Sequence, residues 1–186
     1  MTKKGMCSGS ASHNKGLSPK GTVPKIKERM LKYKAFALAF SYPKGEEWQL
    51  VYDRLFRKQE LWLDTVEYIA ENEFQRVNYL SDIQGFYAAF GLRPEKARPD
   101  FLVNELEFMH YLIFKEDYAR KNSLEEKDEK ASICSDAQKK FFHTYLYPAA
   151  KIIAQKIMAQ SQESFYAGIA KDFLMFLEEE KEYLSN

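Results

Sequence analysis

The chain has 186 residues, of which 45% are hydrophobic and 30% are charged, and its formal net charge is +1. This length suits one domain with a sizeable core, and the composition is that of an ordinary globular protein rather than of two domains. No run of 18 apolar residues occurs, and the first residues lack the apolar region of a secretory signal. We therefore expect a cytoplasmic protein without a membrane span.

The positive charge is concentrated at the start of the chain. The first 27 residues contain six lysines and no acid, which leaves 22 Lys and Arg residues against 27 acids in the rest. An acidic body of this kind favours a basic partner over a nucleic-acid backbone, although mixed charge is also typical of a plain solvated surface. Residues 1–24 are rich in Ser, Gly and Lys. We expect a flexible basic tail at 1–24 and an all-helical domain at 25–186.

From Lys25 onward, apolar residues recur with a period near 3.6, which indicates helices. A first stripe is followed by "SYP" at 41–43, which ends the helix because proline disfavours α geometry in the residue before it. The same period continues through "EEWQLVYDRLFRK", "QELWLDTVEYIAEN" and "EFQRVNYLSDIQGFYAAF", and nothing alternates long enough to predict a strand. The residues of the first stripe are Ile26, Met30, Tyr33, Ala37 and Phe40.

The second half of the chain continues the helical pattern with one interruption. Residues 119–136 are densely charged, which indicates a polar connection that partly continues the preceding helix. Pro148 must kink or divide the helix that follows, because proline lacks an N–H donor. The last helix carries five apolar residues on one side: Phe165, Ile169, Phe173, Phe176 and Leu177. We predict an all-α, single compact domain of about six to eight helices.

A sharp corner separates two of these helices, at "GFYAAFGLRPEKARPDFLVNELEFM" (85–109). Gly91 follows an apolar helix and is placed to adopt the left-handed conformation that closes it. Pro94 and Pro99 keep the connection extended, and Asp100 is suited to accept a backbone N–H as the N-cap of the next helix. These features predict a well-defined turn.

The helix after the corner is apolar around nearly its whole circumference, which predicts a central, mostly buried position. Glu105 and Glu107 lie in its middle, about 160° apart around the axis, so they do not share one site. A buried carboxylate needs a partner. Each glutamate either pairs with an Arg, Lys or Tyr of a neighbouring helix, or one of them acts with Asp100 to receive an incoming basic group.

Catalytic and metal-binding motifs are weak in this sequence. Glu107 and His110 have the Glu-x-x-His spacing of di-iron bundles, but a second pair of this kind is missing. Cys7 and Cys134 lack the spacing of a zinc site or a disulfide framework. A phosphate-binding loop and a dinucleotide fingerprint are also missing. We predict no enzyme activity, no cofactor and no metal.

The stretches "FYAAFGL" and "RPDFLVNELEFM" resemble the signature of the TorD/DmsD/NarJ family, the dedicated chaperones of molybdenum-cofactor oxidoreductases. The resemblance continues more weakly over residues 26–183, through "YKAFALAFSYP", "FFHTYLYPAAKIIAQ" and "SFYAGIAKDFLMFLEEE". Two departures stand out, because Phe101 replaces the usual His after Pro-Asp and Tyr147 replaces a frequent Trp. The matching residues are Tyr87, Phe90, Gly91, Leu92, Pro99, Asp100, Leu102, Glu105, Leu106, Phe108 and Met109.

This resemblance implies a cytoplasmic chaperone that binds the N-terminal twin-arginine leader of an unfinished catalytic subunit until its cofactor is inserted. The leader peptide and the apo catalytic subunit would be its partners, and the chaperone would be a monomer or a dimer, including a domain-swapped one. Asp100 and Glu105 are expected to face the leader arginines. The apolar part of the site is expected to consist of Tyr87, Pro99, Phe101 and Met109.

A different class of function is also open. An aromatic-rich helical core is compatible with a closed pocket for a small molecule, as in a regulatory domain without catalytic activity. A small molecule that stays bound to the purified protein would favour this alternative.

Overall fold

The computed structural model describes residues 22–58, 61–94, 98–122, 127–160 and 164–185; the tail predicted at 1–24 lies almost wholly outside these ranges. The described ranges contain seven α-helices, two short π-helical segments, one 3-10 helix and no β-strand, which confirms the all-α prediction. The α-helices are α1 (Thr22–Phe40), α2 (Glu46–Tyr52), α3 (Glu73–Ala89), α4 (Leu102–Asn122), α5 (Lys127–Phe141), α6 (Tyr147–Gln160) and α7 (Ser164–Ser185).

Helix α4 lies at the centre of the domain, packed mainly against α1 on one side and α5 on the other. Leu106, Met109 and Leu112 have no exposed surface, and the apolar pattern of this helix therefore predicted its position correctly. The predicted stripe of α1 also faces the core, since Tyr33, Ala37 and Phe40 are fully buried, and the helix ends directly before "SYP".

Aromatic rings fill much of the space between the helices. Phe108 and Phe141 meet edge to face with their centroids 4.9 Å apart, and Tyr87 contacts Phe108 at the same distance. On the other side of the core, Phe173 of α7 packs against Phe40 of α1 with centroids 5.2 Å apart. Such edge-to-face pairs add to the burial of the rings themselves. The composition predicted an aromatic core of this kind.

Pro148 sits just after a π-helical segment, Phe142–Leu146, that joins α5 to α6. The N–H of Tyr147 donates to the carbonyl of Phe142, five residues earlier. The wider turn accommodates a residue that has no N–H of its own. The predicted interruption at Pro148 is confirmed as a local widening of the helix.

Two local predictions were wrong. The charged run 119–136 is helical over most of its length, because α4 reaches Asn122 and α5 begins at Lys127. Ala131 and Cys134 supply a buried face there, while Lys and Glu favour helix on the exposed side. In the described part of "QELWLDTVEYIAEN", residues 61–72, the chain is helical only in a 3-10 turn, Thr65–Tyr68, because residues 63–65 pair with residues 100–102 of the corner.

Candidate functional site

The corner begins with a Schellman motif at the end of α3. Gly91 has a φ of +73°, its N–H donates to the carbonyl of Ala88, and the N–H of Leu92 donates to the carbonyl of Tyr87. These two bonds satisfy carbonyls that the end of a helix leaves without partners. The predicted left-handed role of Gly91 is confirmed.

The start of α4 is held by a segment 35 residues earlier in the chain. Thr65 N–H donates to the carbonyl of Asp100 at 2.8 Å, and Leu102 N–H donates to the carbonyl of Leu63 at 2.8 Å. The carboxylate of Asp100 accepts the N–H of Val66 at 3.2 Å. Asp100 therefore caps the 3-10 helix Thr65–Tyr68, and the prediction that it caps α4 was wrong.

Arg98 occupies a set of three carboxylates, here called the acidic cage: Asp64, Glu67 and Asp100. Its guanidinium donates two bonds of 3.0 Å to Asp100 and one of 2.9 Å to Glu67, and its Nε lies 3.8 Å from Asp64. Burial, followed by the charge of Asp100, raises the pKa of Asp64 above its ordinary value. The corner thus concentrates negative charge, and two arginines of the chain itself compensate it, because Arg76 also donates to Glu67.

Glu105 lies beneath the acidic cage with no exposed surface. Its Oε1 is 2.6 Å from the hydroxyl oxygen of Thr65, and its Oε2 has no hydrogen-bond partner among the described residues. Burial raises the pKa of Glu105 well above its ordinary value. Its partner is therefore a hydroxyl, and the predicted pairing with Arg, Lys or Tyr was wrong for this glutamate.

An open cavity of about 350 Å³ lies beside the corner. We call it the aromatic cleft. Trp62 and Tyr42 are 49% and 44% exposed there, which is a large exposure for aromatic side chains. Phe101 is partly buried on its wall, and Asp64 brings one member of the acidic cage to its surface. Its lining residues are Ser41, Tyr42, Tyr52, Phe56, Arg57, Trp62, Leu63, Asp64 and Phe101.

A second cavity, of about 380 Å³, lies near the end of α3 and is here called the Tyr87 pocket. Tyr87 and Phe108 form apolar surface, while Lys34, Glu107 and His110 add polar groups. Lys34 donates to Glu107 at 2.6 Å across α1 and α4, which confirms the predicted pairing for this glutamate. The remaining lining residues are Leu92, Arg93, Pro94, Asn104 and Tyr111.

The six residues predicted to bind peptide do not form one surface. Phe101 lines the aromatic cleft, and Tyr87, 3% exposed, lines the Tyr87 pocket and donates through its hydroxyl to the carbonyl of Pro99. Asp100, Glu105 and Met109 have no exposed surface. Their role in binding stays a prediction.

Sequence reasoning missed Trp62, Tyr42 and Asp64 as site residues. All three lie outside the corner motif, in segments that only the fold brings beside Phe101. One signal was present: residues 61–75 carry Asp64, Glu67 and two further glutamates without any Lys or Arg. Such a run of acids beside an exposed Trp marks a surface suited to a basic, apolar ligand.

The candidate metal ligands are engaged elsewhere. His110 has Nδ1 2.9 Å from the carbonyl oxygen of Met30, so Nδ1 carries the proton that this carbonyl accepts. Within the described ranges, no three His, Cys, Asp or Glu side chains are gathered to hold a metal ion. Nor does any helix of the described chain have the length and apolarity needed to cross a bilayer.

A known protein family matches a large part of the chain, including this corner. The family model of the nitrate reductase delta subunit matches residues 24–150, about two thirds of the chain. The chain belongs to this family. The nitrate reductase delta subunit family consists of chaperones that mature molybdoenzymes, and it is not a family of catalysts. The matched range includes the corner and every residue that lines the aromatic cleft. No curated protein shows a significant match to the chain.

Proposed function

We propose that this protein is a system-specific chaperone that binds the N-terminal twin-arginine-type leader of a molybdenum-cofactor oxidoreductase. It holds the apo catalytic subunit in the cytoplasm, assists cofactor insertion and assembly, and releases the finished subunit for export. Binding alone performs this function, because a chaperone needs only a higher affinity for the unfinished client than for the finished one.

The observation that carries the proposal is the aromatic cleft beside the acidic cage, within the family-matched part of the chain. A twin-arginine leader has a basic segment followed by an apolar one. Trp62 and Tyr42 offer exposed ring surface for the apolar segment, the partly buried ring of Phe101 adjoins them, and Asp64 offers negative charge for the basic segment. The apolar and the basic segment of the leader therefore find aromatic and acidic surface side by side.

The buried members of the predicted site support this surface from beneath. Asp100 holds Arg98 and the 3-10 helix that begins directly after Asp64, and Glu105 holds Thr65 in the same helix. We propose that the leader contacts Phe101 and the neighbouring surface of Pro99 directly. Asp100, Glu105, Met109 and Tyr87 fix the position of these contacts.

The proposal is tested in cells that lack this protein. We expect the activity and the molybdenum-cofactor content of one molybdoenzyme to fall, while its transcript level stays constant, because the apo subunit is no longer held for cofactor insertion. Wild-type protein should restore both. Full activity of every molybdoenzyme in the deleted strain would contradict the proposal.

A helical small-molecule-binding domain remains the second candidate, and the Tyr87 pocket favours it. The pocket volume of about 380 Å³ falls in the range of ligand sites, and apolar surface from Tyr87 and Phe108 is combined there with a few polar groups. Native mass spectrometry of the purified protein decides this point. A stoichiometric small molecule that is lost on His110→Ala would support the second candidate, and a ligand-free mass would count against it.

A further inference from the structure

Two arginines of the chain itself are held on acceptors beside the aromatic cleft. The guanidinium of Arg57 lies 5.0 Å from the ring centre of Tyr42, and its Nη1 lies 3.2 Å from Oδ1 of Asp53. Arg98 lies in the acidic cage, of which Asp64 also lines the cleft. A carboxylate and an aromatic face are the two surfaces that a guanidinium binds best.

The contact of Arg57 is incomplete. Oδ1 of Asp53 is buried, and although Arg57 is within ion-pair distance, no described N–H is aligned to form a hydrogen bond with this oxygen. Among the described residues, Oδ2 of Asp53 receives only a 3.4 Å bond, from the hydroxyl of Tyr42. A buried carboxylate oxygen without a hydrogen bond is unfavourable, so a better-aligned guanidinium would be stabilised here. The side chain of Arg57 is 65% exposed and is free to move aside.

The contact of Arg98 is more complete but is still reachable from solvent. Two parallel bonds of 3.0 Å join its guanidinium to Asp100, which has no exposed surface of its own. The side chain of Arg98 remains 38% exposed. A guanidinium from a ligand would therefore meet the same acceptors only after Arg98 leaves them.

We propose that these two places are guanidinium subsites for the paired arginines of a leader peptide, and that Arg57 and Arg98 fill them in the free protein. The inference rests on the proposed function, since the leader supplies the competing arginines. A leader binds only those molecules in which the internal arginine has left the subsite. The apparent affinity for the leader is therefore reduced in proportion to the fraction of such molecules. The internal arginines therefore make binding selective for a leader with arginine at both positions, because lysine cannot reproduce the paired hydrogen bonds of a guanidinium.

The first test is calorimetric titration of twin-arginine leader peptides from the molybdoenzymes of the same genome. Arg57→Ala and Arg98→Ala should each tighten binding about 3- to 10-fold, because neither variant has to vacate its subsite first. The gain should vanish when both leader arginines are replaced by lysine. Arg93→Ala is the matched control: Arg93 is exposed, has no ion-pair partner in the described chain and lines the Tyr87 pocket instead. Its affinity should equal that of the wild type.

A second readout does not depend on any leader. In a Trp48→Phe background, fluorescence reports Trp62 at the cleft, and arginine amide is the probe. Arginine amide should change this fluorescence saturably in Arg57→Ala and Arg98→Ala, and much less in the parent protein. Arg98→Lys, which keeps the positive charge, replaces Arg98→Ala if the alanine variant does not fold.

These two experiments distinguish a failure of the guanidinium subsites from a failure of the proposed chaperone function. Leader binding that is unchanged or weakened in folded Arg57→Ala and in folded Arg98→Ala, or in Arg98→Lys where it replaces Arg98→Ala, overturns the inference and leaves the chaperone proposal intact. A lack of leader binding in every variant counts against the proposed function. In that case the fluorescence titration with arginine amide still tests whether the two subsites bind a guanidinium. An absent response to arginine amide in the variants overturns the inference in either case.

Discussion

The hydroxyl oxygen of Thr65 lies 2.6 Å from Oε1 of Glu105, and the same hydroxyl lies 3.1 Å from the carbonyl oxygen of Asp100. A hydroxyl has one proton and cannot donate to both oxygens. The shorter contact is the hydrogen bond that Thr65 donates to Glu105, and burial raises the pKa of this carboxyl well above its ordinary value. The oxygen of Glu105 that has no partner is less costly on a neutral carboxyl than on a carboxylate.

This arrangement predicts the effect of changes at Glu105. The amide oxygen of glutamine keeps an acceptor for the hydroxyl of Thr65, so Glu105→Gln should change the free energy of unfolding by less than about 1 kcal/mol. Glu105→Ala removes this acceptor and leaves a cavity, which should cost about 2 to 4 kcal/mol. Urea denaturation followed by circular dichroism measures both, with Glu107→Ala, at the partly exposed pair with Lys34 on α4, as the control. If glutamine proves as harmful as alanine, the negative charge itself is required.

The same residue predicts a dependence of stability on pH. Below the ordinary value of 4.5, Glu105 is protonated in both states and its stabilising contribution is complete. As the pH rises above 4.5, the unfolded chain loses this proton while the folded protein retains it, so the contribution decreases until the folded pKa is passed. The wild type should therefore lose stability relative to Glu105→Gln as the pH rises. A difference that is constant with pH would show that Glu105 is ionised when folded.

Two glycines of the α3 region should respond in opposite ways to alanine. Gly91 has a φ of +73°, which an L-residue adopts with strain, so Gly91→Ala should cost about 1 to 2 kcal/mol. Gly85 lies inside α3 with open space around its Cβ position, so Gly85→Ala should stabilise by about 0.5 to 1 kcal/mol. Thermal melts of the two variants, measured side by side, test the motif. Equal effects of the two changes would argue against the left-handed turn.

A buried ion pair joins α1 to α7. Arg29 donates to Glu180 through Nε and Nη2, and their side chains are only 6% and 2% exposed. Removal of one partner leaves an unpaired buried charge, so Glu180→Ala should cost about 3 to 5 kcal/mol. The double change Arg29→Met with Glu180→Leu should cost much less than the sum of the single changes. Glu179→Ala, which breaks the exposed pair with Lys32, should have little effect.

The sequence predicted those features that depend on nearby residues. Gly91 closes α3 because it follows directly after the C-cap residue Phe90, and α4 is central because apolar side chains surround it. Both facts are visible within about 20 residues of sequence. The interruption at Pro148 follows from a missing N–H in the same local way.

Features that depend on distant segments could not be predicted. The carboxylate of Asp100 has the right spacing to cap α4, yet the N–H of Val66 and the guanidinium of Arg98 bind it instead. The aromatic cleft requires Tyr42 and Trp62 to meet Phe101, and no periodicity relates these three positions. The helix from Lys127 was missed because its charge density concealed a narrow buried face.

The claim that the aromatic cleft binds a leader is tested most directly by titration of leader peptides into the wild type and three alanine variants. We predict micromolar or tighter binding of one leader to the wild type, and a loss of at least about tenfold in Phe101→Ala and in Trp62→Ala at unchanged helical content. Phe114→Ala should bind as the wild type does. Phe114 is 47% exposed on α4 and lies about 20 Å along the helix axis from Phe101. Full affinity in both cleft variants, or an equal loss in Phe114→Ala, would contradict the account.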